Sequence, residues 1–322
     1  MINLVRVAFS FFTRRTAVGG FPPILMIEPT NLCNLRCPLC PTGTGTLNRP
    51  SGIMPLKRFQ AIMAEIGDYV WHLTLWNWGE PFLCEDVYDM IRIAHEKRIF
   101  TRISTNGHFL IEGNIDKLIQ TGLDNLIVAI DGASEETFSL YRQKGDFEKV
   151  RRGLRKIVSI RKEKGLRNPF IELQFMIMKH NEHEISLIQS IAGESGVDKL
   201  TFKTVNIKYG PGAVKEKIEN FLPQNDTFSR YLHRSARRKV YLKNKCYRLW
   251  FSTVINWDGE VVPCCYDAAG SFSFGNIEEA GFKPIWNNLN YRRFREAVLR
   301  DKEKIELCKD CPGTLLGLTL TL

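Results

Sequence analysis

Three cysteines spaced Cys33-x3-Cys37-x2-Cys40 are the residues of this chain best suited to chemistry. On a loop, that spacing lets three thiolates converge on one polynuclear centre. A structural zinc site normally closes with four ligands, and no fourth cysteine or histidine stands within the motif. Three thiolates on a four-iron cube leave one iron open, and an open iron can bind and reduce something. Zinc completed by a distant ligand is the alternative. A second set lies near the C-terminus: Cys246, Cys264 and Cys265, then Cys308-x2-Cys311. A hairpin turned at Trp257-Asp258-Gly259 would deliver one thiolate from its end and the Cys-x2-Cys two more, which suits four-thiolate enclosure of zinc or an iron–sulfur cluster. Nine cysteines, an odd count without an export signal, argue for thiolate ligands in a reducing cytoplasm over a disulfide framework. Cys84, in Phe82-Leu83-Cys84, reads as a core thiol.

Positioning these residues falls to an alternation of short apolar runs with longer amphipathic ones. Strands are expected at Ile24–Glu28, His72–Trp78, Thr101–Ser104, Asn125–Ile130, Ile171–Met178 and Lys199–Thr204. Helical patterns fall between them, as at Leu56–Gly67, Asp86–Lys97 and Ile115–Thr121. Six β-then-α units imply a parallel sheet, and six are too few for a closed eight-unit barrel. The fold class is therefore α/β: a partial (β/α)6 TIM-type barrel with a small C-terminal cysteine-bearing extension containing a β-hairpin, which would hold zinc or Fe–S. Function in such folds gathers on loops at the carboxyl ends of the strands. Cys33 to Cys40, Gly79-Glu80-Pro81, Thr105-Asn106-Gly107 and Asp131-Gly132 all fall there. The expected organisation is an amphipathic segment at 1–22, the barrel at 23–205, a linker at 206–245 marked by Gly210-Pro211-Gly212, and a small cysteine-bearing domain at 246–322.

Composition narrows the class. An apolar content of 44% over 322 residues is enough for a sizeable core. No apolar run approaches the roughly 20 residues that span a bilayer. Much of the net charge of +10 sits in Arg142–Arg167 and Arg230–Arg248. In the first of these, Val150, Leu154, Ile157 and Val158 fall at helical spacing, so the charges read as a solvated helix face and no nucleic acid is expected as a partner. The apolar stretch Val5–Phe12, bracketed by Arg6, Arg14 and Arg15, reads as a helix packed on the body or as a peripheral membrane anchor. His180 and His183 lack a clear third ligand and read as a surface turn.

The run Cys33-Asn-Leu-Arg-Cys-Pro-Leu-Cys40 after a first strand, followed by Trp78-Gly-Glu-Pro81, resembles the radical S-adenosylmethionine (SAM) superfamily. The resemblance implies a [4Fe–4S] cluster on Cys33, Cys37 and Cys40 whose open iron chelates the methionine moiety of SAM. It also implies reductive release of a 5′-deoxyadenosyl radical that abstracts hydrogen from a substrate. Gly79 and Glu80 match the pair that receives the methionine amino group, Ser104 and Asn106 match positions near the ribose, and Arg142 matches the arginine that meets the carboxylate. Asp131 is a candidate base near the radical. Leu39 replaces a commonly aromatic residue, and Ala129 a common serine.

The tail resembles the SPASM and twitch extensions. By that resemblance Cys246, Cys264, Cys308 and Cys311 hold one auxiliary [4Fe–4S] cluster, with Cys265 a neighbour. The implied activity is radical oxidation or rearrangement of a small hydroxylated molecule, sugar or lipid headgroup, and a peptide-modifying enzyme is the alternative. A zinc-bearing nucleic-acid-binding protein is the alternative of another class. The implied partners are that small-molecule or peptide substrate and an electron donor such as flavodoxin or ferredoxin. The expected location is cytoplasmic, with peripheral membrane contact through residues 1–22 as the alternative to a helix packed on the body.

Overall fold

The computed structural model describes all residues except 208–213, 233, 234, 236, 237, 241, 310, 314–318, 321 and 322, and only the backbone of 319 and 320. The expected linker glycines Gly210 and Gly212 lie outside the described residues. Helix α1 (Ile2–Phe12) comes first. Then β1 (Ile24–Ile27), α2 (Leu56–Ile66), β2 (His72–Thr74), α3 (Val87–Glu96), β3 (Phe100–Thr105), α4 (Glu112–Ile119) and β4 (Asn125–Ala129) alternate. They are followed by α5 (Glu135–Tyr141), α6 (Phe147–Glu163), β5 (Phe170–Ile177), α7 (Ile185–Ser195) and β6 (Lys199–Thr204). Among the described residues β1 to β6 pair in chain order, all parallel.

Alternate strand residues explain why this sheet curls around a polar interior. Leu25, Leu73, Ile103, Leu126, Leu173 and Phe202 are buried in one core with Phe59 and Ile62 of α2, Met90 of α3 and Leu154 of α6. With a side-chain period of two, the intervening residues must face the other way. Several of those are polar: Arg102 of β3 pairs with Glu172 of β5 at 2.5 Å, and Asn125 of β4 donates to the Phe170 carbonyl at 2.9 Å. As expected, Val150, Leu154, Ile157 and Val158 line the buried face of α6. Cys84 is a fully buried member of the core.

Two departures matter for the site. Strand β2 stops at Thr74, short of the expected Trp78, because the backbone leaves the ladder and the Trp78 N–H donates to Glu28 instead. The C-terminal hairpin, β7 (Ser252–Ile255) and β8 (Val261–Val262), is not a detached unit: β7 runs parallel to β1 and extends the barrel's own sheet. At the other edge β9 (Thr319–Leu320) pairs antiparallel with β6. The six-stranded core is thereby extended at both edges, and the sheet ends on the two-residue strands β8 and β9.

Glu28, just past β1, joins these parts. Fully buried, it takes both guanidinium arms of Arg49 at 2.5 and 2.7 Å and accepts the Trp78 and Trp257 N–H groups at 3.1 and 3.4 Å. Arg49 also donates Nε–H to the Ala268 carbonyl at 2.8 Å. Burial pushes the Glu28 carboxyl upward, and Arg49 opposes it. Gly52 completes the contact, since a Cβ there would collide with the Trp257 ring. Removing one partner of a buried pair typically costs about 3–5 kcal/mol. Arg49→Leu is expected to lose about that much in urea unfolding, and Glu28→Gln added to it to restore part, because the orphaned charge is gone.

Candidate functional site

Cys33, Cys37 and Cys40 follow β1, and their loop is fixed before any ligand arrives. Asn31 is buried, donates to the Pro50 carbonyl at 2.8 Å and accepts the Gly52 N–H at 2.9 Å. The Arg36 N–H donates to the Gln143 carbonyl at 3.0 Å, tying the loop to the segment after α5. The Cys40 N–H donates to the Cys37 carbonyl at 3.1 Å. Gly79 lies against this loop with φ of +124°, and a Cβ on it would lie 2.8 Å from the Leu32 carbonyl oxygen. Neither the dihedral nor the space suits another residue.

All three cysteines line one cavity of about 430 Å³, in the range of small-ligand sites. Its wall includes Gly79, Glu80, Ser104, Asn106 and Arg142 from the sequence-derived set, with Ala129 beside them. Leu39 also lines it. Of the sequence-derived candidates near the cavity, Asp131 alone stays behind the wall: it is fully buried, pairs with Arg142 at 2.5 Å and accepts the Met176 N–H at 2.8 Å. Burial works against the Arg142 charge, yet Asp131 and the Cys37 sulfur hold its pKa above the ordinary value. Its Nε is buried without a hydrogen-bond partner among the described residues. Such an orphan donor in a cavity wall points to a missing acceptor.

Glu80 is buried and accepts from Thr105 Oγ at 2.7 Å, the Asn106 N–H at 2.8 Å and the Phe82 N–H at 3.3 Å. Burial nevertheless raises its pKa to about 7. Asn106 Nδ2 donates to Asn34 Oδ1 at 2.8 Å, and its longer contact to Cys33 Sγ measures 3.9 Å. Burial pushes the Cys37 thiol up to about 12 and raises Cys33, so metal binding, which needs thiolates, must displace protons there.

Sequence reasoning missed the opposite wall. Gln174 and Met176 of β5, Lys203 and Thr204 of β6, and Asn206 and Arg230 complete the cavity. Lys203 is half-buried and makes no ion pair among the described residues, although Glu172 lies within its field. Burial, then the charges of Arg102, Lys199 and Arg230, lowers its pKa. The only signal for it in the chain was a lysine at an inward position of the last barrel strand. His180 and His183 converge on no metal site among the described residues.

At the other end, Cys246 precedes a short helix, Cys264 and Cys265 follow β8, and Cys308 and Cys311 follow α8 (Leu289–Asp301). Backbone bonds bring these segments together: the Tyr247 N–H donates to the Gly313 carbonyl at 3.0 Å and the Gly313 N–H to Cys311 Sγ at 3.4 Å. Lys302, buried, donates to the Cys311 carbonyl at 2.7 Å. The sulfurs share one electrostatic field. Burial first, then Cys246 and Cys311, pushes Cys308 up to about 12, and Cys264 is raised by burial, Cys265, Cys246 and Cys311. Among the described residues no three His, Cys, Asp or Glu side chains close on a point as a single ion requires. Four soft thiols within one another's electrostatic field, with an N–H directed at the Cys311 sulfur, are a donor set that suits an iron–sulfur cluster.

Residues 27–190 match the Radical SAM superfamily, just over half of the chain. The chain belongs to that superfamily. Residues 246–312 match SPASM, an iron–sulfur cluster-binding domain. The enzyme therefore uses SAM and a [4Fe–4S] cluster, and its SPASM segment carries auxiliary iron–sulfur chemistry. It is 24% identical to the tungsten-containing aldehyde ferredoxin oxidoreductase cofactor-modifying protein of Pyrococcus furiosus, over 89% of this chain and 86% of that protein. It is 26% identical to the AdoMet-dependent heme synthase of Methanosarcina barkeri, over 90% and 88%. Among solved structures, Streptococcus suis SuiB bound to S-adenosylmethionine superposes with a TM-score of 0.67 at 15% identity, covering 96% of this chain and 76% of SuiB. BtrN in complex with AdoMet and 2-DOIA gives 0.56 at 19% identity, covering 93% and 99%. The fold is thus that of a radical SAM partial barrel, and the zinc-bearing nucleic-acid-binding alternative loses its support.

Substituting the cysteines separates ligands from bystanders. Cys37→Ala and Cys308→Ala are each expected to lose one cluster's iron and sulfide from anaerobically reconstituted protein, whereas Cys84→Ala and Cys265→Ala retain both. Metal and labile-sulfide assays, with circular dichroism for the fold, read the result.

Proposed function

We propose that this enzyme abstracts hydrogen from a small hydroxylated molecule, a sugar or lipid headgroup, that carries an anionic group. The cavity carries this reading: three thiols and a lysine with no ion pair among the described residues line one volume of about 430 Å³. When bound, the [4Fe–4S] cluster and SAM supply the electron and the deoxyadenosyl radical for that abstraction. Cys33, Cys37 and Cys40 hold the cluster and leave one iron for SAM. The Gly79 carbonyl and Glu80 receive the SAM amino group, and Glu80 Oε2, which among the described residues accepts only the Asn106 N–H, has capacity for it. The orphan Nε of Arg142 meets the carboxylate, while Ser104 and Asn106 face the ribose. Asp131 acts through Arg142: in a buried ion pair it positions the guanidinium and is no longer placed to serve as a base.

Lys203 anchors a phosphate or carboxylate of the substrate, with Gln174 and Asn206 beside it for hydroxyl groups. We take residues 23–205 as the catalytic barrel and 246–322 as the segment that holds the auxiliary cluster on Cys246, Cys264, Cys308 and Cys311. That cluster serves as an acceptor for the electron a dehydrogenation must release. Peptide modification is the second reading, supported by the likeness to SuiB, which has also been solved bound to the precursor peptide SuiA. In that case Lys203 would meet an acidic side chain of the peptide.

Anaerobic protein reconstituted with iron and sulfide and reduced with dithionite is expected to release 5′-deoxyadenosine from SAM; its absence would end the proposal. In a thermal-shift screen, sugar phosphates and sugar acids should stabilise the parent protein, and Lys203→Met should lose that response while still binding SAM. If neutral sugars bind as well, or Lys203→Met binds unchanged, the anionic anchor is wrong. Because Glu80 is neutral below its raised pKa and ionised above it, SAM affinity should tighten as pH rises through about 7. Glu80→Gln should flatten that dependence in calorimetric titration.

A further inference from the structure

Helix α1 inverts the usual pattern of a surface helix, which hides its apolar stripe and shows a polar one. Its solvent face carries Ile2, Val5, Phe9 and Phe12, which are 71, 62, 52 and 75% exposed. Spaced three and four residues apart, they form a single stripe.

The stripe is not the inner face of a loosely placed helix. The opposite side is already docked. Val7 and Ser10 are buried, and Phe11 stacks on Tyr247 at 4.5 Å and meets Trp250 and Phe251 edge-on. Asn3 exchanges two hydrogen bonds with the Phe21 backbone at 2.8 and 2.9 Å, and Ser10 Oγ accepts the Gly19 N–H at 2.9 Å. Arg14 donates to the Leu299 carbonyl of α8 at 2.9 Å, and Trp250 Nε1 donates to the Arg15 carbonyl at 2.8 Å. The body thus presents four large apolar side chains to solvent on a rigid support. Such a patch on a water-soluble surface marks an interaction site.

Charge identifies the occupant. Residues 1–27 contain Arg6, Arg14 and Arg15 and no acidic residue, and all three arginines are exposed around the stripe. Arg15 lies over the Phe9 ring at 5.0 Å, which places a cation beside an apolar side chain that would enter a bilayer. At 11 residues α1 is about 16 Å long, too short to cross a hydrocarbon core of about 30 Å, and no described helix is long and apolar enough to do so. An apolar face ringed by arginines on a helix lying flat is the arrangement that binds an anionic membrane surface.

We propose that α1 docks this enzyme onto the surface of an anionic lipid bilayer through Ile2, Val5, Phe9 and Phe12, with Arg6, Arg14 and Arg15 meeting the headgroups. The proposal does not depend on the substrate. The test is cosedimentation of the full-length, cluster-loaded protein with vesicles of phosphatidylcholine alone or mixed with phosphatidylglycerol. Binding is expected to the mixed vesicles only, and to weaken with salt. Phe9→Glu combined with Phe12→Glu should lower partitioning by about a hundredfold, since two phenylalanine insertions are lost. Iron content, circular dichroism and 5′-deoxyadenosine formation should not change in that variant, because neither side chain reaches the cavity. Absence of binding to the anionic vesicles, or equal binding by the double variant, overturns the proposal. So does a double variant that turns a dimer into a monomer in sedimentation velocity, since the stripe would then cover a second copy of the chain.

Discussion

The bidentate pair of Glu28 and Arg49 is the constraint on which the geometry rests. A carboxylate with no exposure is tolerable only when its lone pairs are filled, and here its donors come from three separate pieces of chain, while the carbonyl of a fourth accepts from Arg49. Arg49 ends the cysteine loop, Trp78 starts the Gly79-Glu80 turn, Trp257 caps the β7–β8 hairpin, and Ala268 belongs to the segment after Cys264 and Cys265. Satisfying one buried charge therefore fixes the cysteine loop, the turn that faces it and the C-terminal cysteine segment with respect to one another.

A second economy of buried charge shapes the cavity. Glu80, the Asp131–Arg142 pair and Lys203 sit where water is scarce, so each is either saturated by bonds or held for a ligand that completes it. Glu80 ties the turns after β2 and β3 together and yet retains a raised pKa, which makes its charge responsive to an incoming cation. Arg142 is braced from behind and keeps one donor toward the cavity. A site built this way is organised before its cofactor arrives, and its residual electrostatic needs describe what should enter.

Much of this was legible in the chain. The Cys33, Cys37 and Cys40 spacing announced its chemistry because thiolate geometry on a short loop is local. The strands and the amphipathic face of α6 followed from side-chain periodicity, which is also local. Lys203 was not legible, because a single lysine in a strand becomes meaningful only when curvature of the sheet turns it toward residues distant in sequence. Asp131 was misleading for the same reason: a carboxylate at a strand end reads as a base until the arginine eleven residues later is found against it.

By itself the sequence determined the cofactor chemistry, the positions of the six barrel strands and the presence of an apolar, arginine-flanked opening segment, since each depends on neighbours within a few residues. Only the tertiary structure decided that the C-terminal hairpin continues the barrel sheet beside β1, that Glu28 and Arg49 together hold four segments, and that the stripe on α1 faces outward. Those outcomes come from long-range competition for burial and for hydrogen-bond partners, which no local pattern records.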